Sequence, residues 1–127
     1  GGFFLTVESG SIDWASHGND IDNTIGEVRE LHDTVSQTMR FLNQNGMIDN
    51  TLVIVMSDHE TGGLTMVGPY DEVVNGNGQI EFAWSTGGHT ANSVPIFATG
   101  PGHDLFAGTM DLTDASHQIR KFLMDEN

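Results

Sequence analysis

Residues 51–56, TLVIVM, form an unbroken run of β-branched and aliphatic side chains. A strand with one wet face alternates polar and apolar residues, whereas a strand covered on both faces does not. The run therefore reads as a strand of a mostly parallel sheet flanked by helices. It breaks abruptly into Ser57, Asp58, His59 and Glu60, then Gly62 and Gly63. An apolar strand thus delivers an aspartate and a histidine to its carboxyl end, where open α/β sheets collect their ligands.

The surrounding pattern is consistent with that class. Residues 2–8, GFFLTVE, read as a short apolar strand ending in Glu8. SGSIDWASHGND, which follows, reads as a loop or a single helical turn. Ile25, Val28, Leu31, Val35, Met39 and Leu42 recur at three- and four-residue spacing and predict a helix over 23–44, with Asn23 as cap and Gly46 as stop. Alternation of Ile80, Phe82 and Trp84 predicts a strand near Gln79–Trp84, and SVPIFA another at 93–98. A last helix, about 113–124, carries Ala115, Ile119, Phe122 and Leu123 on one face. Strand, helix, strand, excursion, strand, helix is an α/β order. With 127 residues and no internal repeat, the chain reads as one segment able to bury a core. It opens Gly1-Gly2-Phe3-Phe4-Leu5, with no lead-in before the first strand, which reads as the interior of a longer domain.

Charge removes some functions. Eighteen Asp and Glu against four Lys and Arg give a net charge of −14, so nucleic acid is excluded as a partner for want of basic side chains. Such acidity fits a salt-tolerant protein or carboxylates that await cations. No apolar stretch reaches the ~20 residues of a membrane helix. There is no cysteine, so a transition-metal site must be built from imidazole and carboxylate.

Three places deliver such groups to one predicted sheet edge: Glu8 with Asp13 and His17, then Asp58 with His59, then His89 in STGGHT. Asp13 and His17 are four apart, so one helical turn brings them to one face. Asp13, His17 and His89 make a three-ligand set of the kind that leaves a catalytic zinc one open position. Taken singly, the Asp58-His59 pair reads as a loop feature and Asp13/His17 as a helix-end ion pair. Their convergence in a chain without cysteine favours a metal site. It does not name a reaction.

VESGSIDWASHGND, IVMSDHETGGL and STGGHT followed by VPIFATGPG, in that order over nearly the whole chain, resemble the alkaline phosphatase family. The resemblance implies a three-layer α/β/α fold, of which residues 1–127 are the C-terminal part. It makes Asp13, His17 and His89 ligands of one zinc, Asp58 and His59 ligands of a second, and Glu8 a ligand of a magnesium ion. Two Zn2+ and one Mg2+ would serve hydrolysis of phosphate monoesters through a phosphoserine, with inorganic phosphate as product inhibitor. The nucleophilic serine, the other magnesium ligands, an aspartate joining second zinc to magnesium, and the phosphate-binding arginine match nothing here. They are expected upstream, which leaves the isolated chain inactive and without a catalytic residue. Ser57, Ser85 and Ser93 match other positions, and His32, His103 and His117 match no ligand. Trp14 stands where other members carry a His or Lys that tunes the phosphate and magnesium surroundings. Glu60 and Thr61 read as hydrogen-bonding supports of the loop. Family members are commonly periplasmic or secreted, and many are homodimers.

Other readings stay open. A sulfatase, phosphodiesterase or phosphoglycerate mutase shares the fold and the Asp-His pair. A non-catalytic zinc-binding fragment, or an acidic α/β domain that binds nothing, would carry the same composition.

Overall fold

The structure, a computed structural model, describes residues 2–68 and 80–124. Helix α1 spans Ser11–His17 and α2 spans Ile21–Gln44. A 3-10 turn at Ile48–Asn50 leads into β1, Val53–Met56. Four short strands follow: β2 (Glu60–Thr61), β3 (Thr65–Val67), β4 (Glu81–Ala83) and β5 (His89–Thr90). Then come β6 (Ile96–Thr99), a 3-10 turn at His103–Phe106, and α3 (Leu112–Met124). The chain forms two compact units: Gly1–Thr34 with His59–Asn92, and Val35–Asp58 with Ser93–Asn127.

The first unit carries α1, the start of α2, and two strand pairs, β2 with β5 and β3 with β4. α1 turns into α2 through Asn19, whose φ of 52° is the left-handed region that asparagine tolerates. Asp20 caps α2 by accepting from the Asn23 amide at 3.0 Å, so the cap lies three residues ahead of the predicted Asn23. Asn23 instead donates its side-chain amide to Asp20. Ser16 and Thr24 are buried where the two helices meet, with their hydroxyls satisfied by the Ile12 and Asp20 carbonyls.

In the second unit, α2 closes on Gly46 as its periodicity predicts. The Met47 amide reaches the Leu42 carbonyl at 2.8 Å and the Gly46 amide reaches Asn43, a Schellman ending that needs the φ of 64° at Gly46. Among the described residues, Leu42, Phe106 and Ala115 are the buried apolar side chains. A groove of about 170 Å³ is lined by Val35 and Met39 of α2 and by Val53, Val55, Phe97, Ala98 and Thr99 of β1 and β6.

The α/β class stands, with three differences from the sequence expectation. Every described strand pair is antiparallel, β1 with β6 in the register Val53↔Thr99 to Met56↔Ile96. An unbroken aliphatic run reports an appetite for cover on both faces and is silent on strand direction. Nor is that cover complete: Val53, Ile54 and Val55 are half-buried and Met56 is exposed. Residues 2–8 form no strand; Phe3, Phe4, Leu5 and Val7 are 63–72% exposed. Strand formers need a neighbour to ladder with, and none of the described strands pairs there. The predicted strand near Gln79–Trp84 is present as Glu81–Ala83, with Gln79 outside the described residues.

Candidate metal centre

SIDWASH folds as a helix of seven residues, longer than the single turn expected, and it puts Asp13 and His17 on one face. The His17 Nε2 lies 3.5 Å from Asp13 Oδ2. The other oxygen, Oδ1, lies 3.5 Å from His89 Nε2 at the start of β5, and the two Nε2 atoms are 3.1 Å apart. Tetrahedral zinc with ligands at about 2.0–2.1 Å requires donor atoms about 3.3 Å from one another. The three predicted side chains, from two separate stretches of chain, approach that spacing, with one Asp13 oxygen toward each histidine.

Proton positions fix which atoms face inward. His17 Nδ1 lies 2.7 Å from the Gly87 carbonyl, which only an N–H can satisfy. In its neutral form His17 therefore turns the Nε2 lone pair toward His89. This is the arrangement of a metal-binding imidazole whose outer nitrogen is anchored by a carbonyl. Two imidazole nitrogens at 3.1 Å need a proton or a cation between them. The donor set thus fits a divalent ion such as zinc.

Thr61 organises the remaining side. Its hydroxyl donates to Asp13 Oδ1 at 2.5 Å, and its oxygen then accepts from His59 Nδ1 at 3.2 Å. That leaves His59 Nε2 to coordinate. The His59 ring stacks on His89 with centroids 3.6 Å apart, and donor atoms of Asp13, His59 and His89 all lie within 4.8 Å of one another. These three side chains are close enough to share an ion. Asp13 is held below the ordinary carboxylate value of 3.8, chiefly by the Thr61 hydroxyl. Partial burial opposes this, and attraction to His17, His89 and His59 adds to it.

Two glycines let the loop approach so closely. Gly62 has φ 92°, with its amide on the Gly88 carbonyl and its carbonyl accepting from Ser85 and Thr86. A Cβ there would enter the Trp84 ring and come to 3.1 Å from the Ser16 carbonyl. Gly63 has φ 59°, and a Cβ there would strike the Ser85 hydroxyl.

The other sequence candidates are placed differently. Glu8 is exposed at the end of the unpaired N-terminal segment, with its carboxylate folded back over Gly10. Asp58 is exposed and is the last residue of its stretch of the second unit. His32, His103 and His117 are exposed, and His103 Nδ1 is engaged with the Gly100 carbonyl at 2.9 Å. Trp14 is 75% exposed. Sequence reasoning brought His59 to the same sheet edge as Asp13 and His89 but not into one donor cluster with them, because the two-residue strands that do so carry no periodicity to read.

A sequence model of the alkaline phosphatase family matches residues 1–80. Alkaline phosphatase 3 of Bacillus subtilis is 26% identical over 96% of this chain and 40% of its own length. The chain thus spans well under half of the curated relatives it matches. Alkaline phosphatase from the Antarctic bacterium TAB5 superposes with a TM-score of 0.76 at 36% identity, over 90% of this chain and 33% of that one. A variant of the TAB5 enzyme with magnesium bound gives a TM-score of 0.75 at 34% identity, over 90% and 34% of the two chains. Matched by a family sequence model over most of its length and by those solved structures in fold, the chain belongs to the alkaline phosphatase family.

Proposed function

We propose that the chain is the metal-binding C-terminal part of an alkaline phosphatase, a metal-dependent hydrolase of phosphate monoesters. The observation that carries this reading is the spacing of 3.1–3.5 Å among the Asp13, His17 and His89 donors, in a chain of this family. Asp13, His17 and His89 hold one zinc. On this reading Asp58 and His59 serve a second zinc and Glu8 a magnesium ion. When bound, paired metal ions stabilise the attacking and leaving oxygens of a phosphoryl transfer. The chain's own residues orient those ions: Gly87 fixes the His17 ring, and Thr61 fixes Asp13 and His59 together. Hydrolysis runs through a phosphoserine whose serine is not among the residues of this site. Inorganic phosphate, the product, competes for it.

Family membership also supports a periplasmic or secreted setting and a homodimeric assembly. No described helix is long and apolar enough to cross a membrane.

Native mass spectrometry of the chain, before and after zinc addition, tests the metal assignment. Zinc uptake that Asp13→Ala and His89→Ala abolish is expected, with p-nitrophenyl phosphate cleaved by the product of the full coding region and not by this chain. Unchanged zinc content in the double variant would overturn the reading.

A further inference from the structure

Glu60 stands at a junction of the site that family resemblance does not assign. Its Oε1 accepts from the Gly63 amide at 2.9 Å and the Leu64 amide at 3.3 Å. Its Oε2 accepts from the Gly63 amide at 3.1 Å and from the Thr90 hydroxyl across the sheet. The register pairs Glu60 with Thr90 and Thr61 with His89. Glu60 directly follows His59, and Thr90 directly follows His89.

We infer that Glu60 is a positioning residue of the metal centre, a clasp between the strands that carry His59 and His89. This deepens the proposed function and rests on its metal-site reading. β2 and β5 are two residues each, too short for their ladder alone to hold a register. A carboxylate that accepts from backbone amides on one strand's turn and from a hydroxyl on the other supplies charge-assisted bonds where the ladder is weakest. Both oxygens are taken by donors, so Glu60 acts through the histidines and does not itself ligate. Its reach matters as well as its charge. Aspartate is one methylene too short to span the turn and Thr90 together, and glutamine would turn an NH2 toward the same donors.

The test is competition titration of zinc against a chromophoric chelator, on wild-type chain and on Glu60→Gln, Glu60→Asp, Thr90→Val and Thr90→Ser. Circular dichroism and the urea midpoint of the metal-free proteins are read alongside. Zinc affinity should fall about 10- to 100-fold in Glu60→Gln, Glu60→Asp and Thr90→Val, the range for partners that orient a ligand. Thr90→Ser should bind as the wild type does. Thr90→Val removes the cross-strand bond, together with the longer one that the Asn92 amide donates to the same hydroxyl at 3.3 Å, and leaves the Glu60 turn intact, so it decides the matter if either Glu60 variant fails to fold. Wild-type affinity in Thr90→Val overturns the clasp, and so does loss of a whole equivalent of zinc in Glu60→Gln, which would make Glu60 a ligand. A wild-type chain that takes up no zinc overturns the underlying metal reading instead.

Discussion

The Nε2 atoms of His17 and His89 face each other at 3.1 Å, although 72 residues separate them in the chain. With His17 Nδ1 committed to Gly87, its Nε2 lone pair faces His89 and is met there by an N–H or by a cation. Replacing either histidine with alanine should therefore weaken zinc binding by more than the ~100-fold at the top of the range for an outer partner. His117→Ala, on the exposed face of α3, should leave it unchanged. Equal affinities across the three variants in a chelator competition would sink the assignment.

Thr61→Val removes the bond that holds Asp13 in place. Hydrogen bonds to charged groups contribute about 1.5–3 kcal/mol, reduced here to about 1 because the Asp13 side chain is a third exposed. Since the folded carboxyl titrates below its ordinary value of 3.8, this stability is fully present above that value and lost as the pH falls through the lower folded one. Urea midpoints of the metal-free wild type and Thr61→Val should differ at neutral pH and converge in acid. A gap that persists in acid would mean the hydroxyl stabilises something other than the ionised carboxylate.

Two glycine substitutions should separate backbone strain from crowding. Gly46→Ala, at φ 64° with open space around it, should cost only the ~1–2 kcal/mol of a left-handed alanine. Gly62→Ala carries the same kind of strain and pushes a methyl into the Trp84 ring, which adds about 1–3 kcal/mol of overpacking. Chemical denaturation measures both, and equal losses would show that the Trp84 contact gives way freely.

The apolar side chains left in water make a prediction about association. Phe3, Phe4, Leu5 and Val7 are exposed, and β1 and β6 each pair with one strand among the described residues, which leaves an edge of each ladder without a described partner. The net charge of −14 opposes self-association, so added salt should promote it by screening. Sedimentation velocity should show oligomers that grow with salt and with protein concentration. Phe3→Ser with Phe4→Ser should reduce them. A monomer at every salt concentration would contradict this.

How much of this was legible in the sequence depends on where a period exists. The helices α2 and α3 were, because a 3.6-residue repeat and the glycine at 46 fix both face and end. Asp13 and His17 were, because four-residue spacing on a helix is geometry. His89 is 72 residues from His17 and entered the ligand set through a predicted sheet edge and a family resemblance. Thr61 and Glu60 were legible as loop supports, but their partners were not: strands of two residues leave no pattern, and their pairing is set by side chains. Residues 2–8 misled because an apolar run states what a segment needs and not what it meets. Asp20 went unseen as a cap because Asn23, which it holds, is as good a capping residue.

Among the described residues of the first unit, the buried ones are Ser16, Thr24, Gly62 and Gly63, with no large apolar side chain enclosed. Polar links hold it together, several of them at Asp13, which meets Thr61, His17 and His89, so an ion held at that point would serve the unit as its core. In such a case binding free energy is folding free energy. Amide hydrogen exchange should show this as an unequal response to a chelator. Protection in α1 and around His89 should collapse, while amides near Leu42, Phe106 and Ala115 exchange at their former rate.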